Sequence, residues 1–331
     1  MNLIRVAWLF LLGACILAIP ASLARYDFAE PHMGTQVRIV FYASSPDQAE
    51  AGRRAAFRVM KDIDDRMSDY KPDSELSRLS AAAGKGPQPV SQPLFDVLES
   101  SLRTAEVSGG AYDITIGPLV RLWRRSRKER KLPSTEEIAA AQRLVNYRKL
   151  RLDPRARTAE LLEPGMILDV GGIAKGYACD QAIAALKAEG ITHALVDTGG
   201  GMALSDPPPG KPGWRIGMLG DDSKVLQLSN CGVSTSGDTE QFVEIGGVRY
   251  SHVIDPATGL GLTNRAMATV IAKDGLTSDA LDTPICIMGA ERGLKMAAAN
   301  GSEAWMQWIE GRKRRRAETP GFSRYLAPEE P

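Results

Sequence analysis

The chain has 331 residues, 44% of them hydrophobic and 24% charged, with 41 lysines and arginines against 40 aspartates and glutamates. That length allows one large domain or two of ordinary size with a substantial core, and the near-neutral balance excludes the positive field of a nucleic-acid-binding protein. Four cysteines without close spacing exclude a disulfide framework and a cysteine-based metal site.

Residues 1–24 stand apart from the rest. Arg5 precedes an almost uninterrupted apolar stretch from Val6 to Ala18, and Ser22-Leu23-Ala24 supplies the small residues of a cleavage site, so the segment reads as an export signal. Three fates are open: cleavage after Ala24, lipidation of Cys15 within Leu12-Gly13-Ala14-Cys15, or retention as an anchor, since the run is close to the shortest that spans a bilayer. The segment contributes one charge, Arg5, so residues 25–331 carry 40 basic and 40 acidic side chains.

Val37 to Ala43 reads as a strand that leads into Ser45-Pro46-Asp47, a helix start, and the helix runs to about Met67 with Ala55, Val59, Ile63 and Met67 at fourfold spacing. A mostly polar loop from Ser68 to Ser77 follows. The next predicted helix spans Gln92 to Val107, with Leu94, Val97, Leu98, Leu102 and Ala105 on its apolar side, and Gly109 and Gly110 end it. Arg121 to Glu137 is dense in basic residues and reads as a solvated face, after which Ser134 caps another helix.

Strands are expected at Lys149 to Leu152, Ala159 to Leu162 and Met166 to Val170, then a helix from Gly172 to about Glu189 and a strand from Ala194 to Thr198. From Trp214 to Val270 the pattern is mostly β, with short runs at Trp214 to Met218, Val225 to Leu228, Val233 to Ser236, Phe242 to Ile245 and Arg249 to Ile254. A helix near Ser278 to Asn300 precedes a terminal hairpin that begins at Ala304 to Ile309. The basic run Arg312 to Arg316 falls on its turn and second strand, where it suits a solubilised sheet edge. Without a repeat or a low-complexity linker, residues 25–331 read as one α+β domain with mixed, largely antiparallel sheets flanked by helices.

Three clusters carry candidate chemistry. In Leu168 to Asp180, an apolar run ends in an acid, a glycine pair and Lys175 at the start of a helix. Gly171 and Gly172 let backbone approach a ligand closely, and the helix start and Lys175 offer positive charge, which together suit a phosphate; a tight turn alone would look the same. In Ser278 to Thr283, Asp279 and Thr283 share a helix face with Asp282 beside them, an oxygen set for a hard cation such as Mg2+, or else acids favouring a helix start. His252 lies where a strand runs into Asp255-Pro256, placed either for proton transfer or for a structural bond to a carbonyl. Tyr112 and Asp113, beside Gly110 and Ala111, could stack on and hydrogen-bond a planar ligand, and Gly199-Gly200-Gly201 ends a strand in a turn free of side chains.

These segments occur in the order seen in the ApbE family of FAD:protein FMN transferases: Met33-Gly34-Thr35, Met67 to Tyr70 with Asp73-Ser74-Glu75, Gly110 to Val120 with Trp123, Leu168 to Asp180, Ser234 to Gly237, His252 to Gly259 and Ser278 to Thr283. The chain resembles that family over nearly all of residues 33–325. The resemblance implies an α+β fold related to the T-fold and a Mg2+-dependent transfer of FMN from FAD to a threonine hydroxyl of a target flavoprotein, with AMP released. It also implies a protein that is periplasmic or attached to the periplasmic face of the inner membrane.

Carried over by the resemblance, FAD contacts fall on Met33, Tyr70, Ala111, Tyr112, Asp113, Asp169, Lys175 and Ile254. The metal falls to the carbonyl of Gly172 with Asp279, Thr283 and Asp282, and catalysis to His252, Lys175 and Asp279. Departures from the family pattern are Pro284, where a helix-forming residue is common, Arg124-Arg125-Ser126 in place of a frequent Gly-Phe-Gly, and Gly201-Met202 where an Asn or Asp is often found. Two rival functions use the same residues in part: an FAD pyrophosphatase, in which water replaces threonine, and a periplasmic flavin-binding or storage protein.

Overall fold

The computed structural model describes residues 22–221, 223–238 and 241–328, so the export segment, apart from residues 22–24, lies outside it. Among the described residues no helix is long and apolar enough to cross a membrane.

One antiparallel sheet of eight strands organises the chain: β1 (Ala24–His32), β2 (Thr35–Ala43), β3 (Ala194–Asp197), β4 (Gly201–Leu204), β5 (Cys231–Gly237), β6 (Met267–Ala272), β7 (Glu303–Glu310) and β8 (Lys313–Glu318). The strands lie side by side in chain order, each antiparallel to the next. The excursion from β2 to β3 carries α1 (Pro46–Met67), α2 (Glu75–Ala81), α3 (Gln92–Val107), α4 (Gly117–Glu129), α5 (Thr135–Gln142) and α6 (Ala174–Ala188); that from β6 to β7 carries α7 (Gly275–Met288) and α8 (Ala290–Ala299).

Alternation along β2 explains how the sheet is covered. Val37, Ile39 and Phe41 point to one face and pack with Ala56, Met60 and Ile63 of α1 and Ala178, Ala182 and Leu186 of α6. Val40 points to the other face, which Trp214, Leu226, Leu228 and Phe322 close. Burying each such large apolar side chain contributes about 1.5–3 kcal/mol. Further along the sheet, Ala268 and Val270 of β6 pack on Leu281 and Ile285 of α7, which fixes the helix that carries the acidic cluster.

Several sequence expectations need correction. The predicted loop from Ser68 to Ser77 contains the start of α2, capped by Ser74, whose side chain accepts from the Ser77 amide at 2.9 Å. Met166 to Val170 is not a strand; its pairing stops at an isolated parallel bridge of Ile167 to Ile116, while Met166, Leu168 and Val170 are buried. The helix expected over Ser278 to Asn300 is two helices, broken at Gly289, whose φ of 78° only glycine adopts readily. The strand expected over Arg249 to Ile254 stops at Ser251, and a two-residue strand follows at Ile254–Asp255. Pro284 does not interrupt α7, because the buried contacts of Leu281, Ile285 and Cys286 on either side of it outweigh the one hydrogen bond it forgoes.

Candidate functional site

The first and second chemical clusters meet where α6 crosses α7. The glycine turn 171–172 leads into α6, and the backbone N–H of Gly176 in its first turn donates to Asp279 Oδ2 at 2.9 Å. No other residue would fit at Gly176: an added Cβ would lie 2.1 Å from the Gly275 carbonyl oxygen. An added Cβ at Gly172 would lie 3.6 Å from Thr283 Oγ1 and 3.6 Å from the Tyr112 ring, so this turn faces the predicted metal residues. Strand β5 closes the third side. Ser234 Oγ is 2.7 Å from Asp282 Oδ2, 3.3 Å from Asp279 Oδ1 and 3.1 Å from the Gly200 carbonyl, and Ser236 Oγ is 3.2 Å from Thr283 Oγ1.

Asp279 and Asp282 are both buried, at 3% and 2% exposure. Burial and the neighbouring charge of Asp279 push the Asp282 carboxyl well above its ordinary range, against the pull of Ser234 and Lys175. Thr283 adds a hydroxyl 3.1 Å from Asp282 Oδ1. Two buried carboxylates, hydroxyls and an approachable backbone turn form a hard-oxygen set with excess negative charge. That set fits a divalent cation. Among the described residues no group of three or more His, Cys, Asp or Glu side chains gathers in this way, and the set here, with its two carboxylates, is of a different kind.

Lys175 is half-buried beside this pair, its Nζ donating to the Gly171 carbonyl at 3.1 Å. Its positive charge acts on Asp169, Asp282 and His252 alike, drawing the pKa of each down. Asp169 accepts from the Gly171 amide at 2.8 Å, and burial, with the charge of Asp69, raises its carboxyl above the ordinary range. Arg124 reaches it from α4, Nη2 lying 3.5 Å from Asp169 Oδ2, while Nη1 bonds Asp69 and the guanidinium covers Tyr70. The basic stretch of α4 is therefore not wholly a solvated face: Arg124 turns inward.

The imidazole of His252 has a defined proton. Its Nδ1 is 3.1 Å from the Gln241 carbonyl oxygen, which can only accept, so Nδ1 carries the hydrogen and Nε2 the lone pair. The ring reaches solvent, yet the protein packed around it, with Lys175 and Arg127, pushes its pKa below the ordinary histidine range; the Gln241 carbonyl and Asp238 oppose this. The balance favours the neutral imidazole.

The other expected contacts divide into open and enclosed positions. Met33 sits in the β1–β2 turn with φ 51°, followed by Gly34 at 73°, the left-handed pair that a two-residue hairpin needs. The Gly199 turn lies against Thr35, so the Met33 turn and the triple glycine are neighbours. Tyr70 is exposed. Tyr112 is buried against Gly172, and Asp113 is buried with both oxygens engaged, one by Thr115 and the other by the Tyr147 amide at 2.8 Å. Ile254 packs with Leu119 and Trp123. Any ligand contact at Asp113 or Ile254 must come from the backbone, as would suit the half-buried Ala111.

Sequence reasoning left Ser234, Gly176 and Arg124 without a role. Ser234 and Ser236 occupy inward positions of β5 where alternation asks for apolar residues, a signal visible once Val233 is assigned to the opposite face.

Comparison with known proteins bears on this arrangement. The model of the ApbE family matches residues 33–306. A Vibrio cholerae protein called FAD:protein FMN transferase is 32% identical over 309 residues, covering 90% of this chain and 90% of its own. One of the same name from Haemophilus influenzae is 33% identical over 262 residues, 75% of each chain. Among solved structures, the flavin transferase ApbE from Vibrio cholerae matches with a TM-score of 0.82 at 28% identity, over 92% of this chain and all of that one. The apo flavinyl transferase ApbE of Pseudomonas stutzeri matches at 0.81 and 30% identity, over 93% of this chain and 98% of its own.

Proposed function

This chain belongs to the ApbE family, and from that premise we propose that it is a transferase that moves the FMN moiety of FAD onto a threonine hydroxyl of an acceptor flavoprotein, with AMP as the leaving group. The observation that carries this reading is the junction of Gly176 with Asp279, which joins the helix after the glycine turn, suited to a phosphate, to the helix that bears the two carboxylates, suited to a cation. A pyrophosphate is the substrate group that needs both.

Asp279, Asp282, Thr283 and the Gly172 carbonyl are the residues to hold Mg2+, which when bound supplies neutralisation of charge at the pyrophosphate. Lys175 adds a positive charge at the same phosphates, freed from Gly171 by a short swing of a flexible stem. The backbone of the glycine turn and Asp169 orient the nucleotide. The acceptor threonine oxygen forms its bond to the FMN phosphorus as the bond to the AMP oxygen breaks, and AMP leaves with that electron pair. The threonine proton passes to Nε2 of His252, whose Nδ1–H is held by Gln241 so that the imidazolium formed keeps its orientation.

We place the protein outside the cytoplasm, in the periplasm or held at the inner membrane through residues 1–24, where an acceptor flavoprotein domain would meet it. The test is incubation of the protein with FAD, Mg2+ and a threonine-containing acceptor domain, followed by intact-mass measurement. An FMN-sized increase on the acceptor together with AMP supports transfer. Free FMN and AMP without an adduct would replace it with the hydrolytic reading, and FAD bound but uncleaved with the storage reading.

A further inference from the structure

The loop after α1 and helix α4 meet in a contact that the transfer chemistry above leaves unused. Tyr70 is 75% exposed, and a tyrosine ring in an open loop has nothing of its own to fix its orientation. Here one face is covered, the Arg124 guanidinium carbon lying 4.1 Å from the ring centroid. The guanidinium is pinned in turn: Nη1 donates to Asp69, Nη2 lies 3.5 Å from Asp169 Oδ2, and Nε is buried without an acceptor. The group is therefore held by two carboxylates and one aromatic face.

The helix that brings Arg124 is itself fixed at two points. Trp123, the preceding residue, donates its indole N–H to the Gly259 carbonyl at 2.8 Å. At the start of the helix Gly117 donates its amide to the Ile167 carbonyl at 3.1 Å, in contact so close that an added Cβ would fall 2.6 Å from that oxygen. Ile167 is two residues before Asp169, whose own amide donates to Ile114 at 2.8 Å. Helix α4 and Asp169 are thus joined through the backbone as well as through the guanidinium.

We infer that Arg124 is a positioning residue for the flavin nucleotide: it braces the Tyr70 ring from behind and ties it to Asp169, so that the open face of Tyr70 stands as a platform for one planar ring of FAD. The inference rests on the reading of this site as FAD-binding. Planarity matters beside charge. A flat guanidinium can stack on the ring while its two terminal nitrogens reach two carboxylates, and an ammonium cannot do both.

The experiment is FAD binding to the whole protein, read by flavin fluorescence, with steady-state transfer kinetics alongside. Arg124→Ala is expected to raise Kd and KM for FAD about tenfold, with the loss in KM and not in kcat. Arg124→Lys is expected to leave most of that loss in place. In a Tyr70→Ala background, Arg124→Ala should add nothing further, because the brace has no ring to hold. If alanine unfolds the protein, Arg124→Met keeps the stem and gives the same reading. Unchanged or tighter FAD binding in Arg124→Ala, full rescue by lysine, or effects of the two substitutions that simply multiply would each overturn the inference. Failure of the unaltered protein to bind FAD would instead sink the functional reading on which it rests.

Discussion

Gly176 donates its backbone N–H to the carboxylate of Asp279 at 2.9 Å, joining two helices whose residues lie 103 positions apart. The contact exists only because both helices have glycine at the crossing, Gly176 against Gly275. Gly176→Ala would push a methyl into the Gly275 carbonyl and the Asp279 Cβ. We expect a loss of about 1–3 kcal/mol from this overpacking, measured as a lower urea midpoint with an unchanged slope, and reduced transfer because Asp279 moves. An unaltered midpoint would show that the crossing relaxes freely.

The carboxylate pair makes a prediction that needs no substrate. Asp282 has its folded-state pKa raised, so the stability attached to it is present at low pH and is lost as pH rises through that raised value. Asp282→Asn should therefore raise the melting temperature of the metal-free protein at pH 7, with the difference shrinking as pH falls towards the ordinary carboxylate range. With Mg2+ held as proposed, the unaltered protein should gain melting temperature on adding Mg2+, and the same variant should lose that gain. A variant still stabilised by Mg2+ would remove Asp282 from the cation site.

For Asp279→Ala we expect retention of the fold and a fall in Mg2+-dependent turnover of about a hundredfold or more, since one of two charged donors is gone. Circular dichroism and the mass assay together check this. Normal turnover would clear Asp279 of a role at the metal.

His252 should set the acidic limb of the rate profile. Its folded pKa is depressed, so the neutral base persists to lower pH than usual, and the limb in kcat/KM should have its midpoint below 6.5. His252→Ala should bind FAD normally and lose transfer by about 10²–10⁴-fold. A rate near that of the unaltered protein would rule out the base.

Cys179 and Cys286 are buried, with their thiols pushed up by burial, Cys179 well above the ordinary range; Cys231 is partly accessible and pushed up to about 11. Of these three thiols, a reagent at pH 8 should label only Cys231 in the native protein, and slowly, with Cys179 and Cys286 reacting only after denaturation. Rapid labelling of either buried thiol would contradict the packing described.

Local signals carried the long helices and the terminal hairpin. Ser45 caps α1 where a helix start is expected, and α3 spans Gln92–Val107 as expected, ending where Gly109 and Gly110 turn the chain. The breaks were harder to read, because the helical pattern of Ser278 to Asn300 continues across Gly289 and only the backbone at that residue divides it. The acid cluster and the glycine turn were each legible as types. Their meeting was not, since it depends on two glycines at a helix crossing and on Ser234 facing inward from β5, and neither residue announces a partner so far along the chain. Arg124 was hidden among arginines that do face solvent, and what distinguishes it is the position of Asp69 and Asp169 around it.

The crossing of α6 and α7 also bears on how the protein is made. No contiguous stretch of polypeptide contains the carboxylate pair together with the turn that faces it. The centre comes into being only when α7 docks on α6 and on β5, which requires closure of a long loop of chain. A chain still leaving the ribosome holds the residues proposed for a cation and a nucleotide, but not yet the site they form together. Topology alone thus delays the chemistry until the molecule is whole.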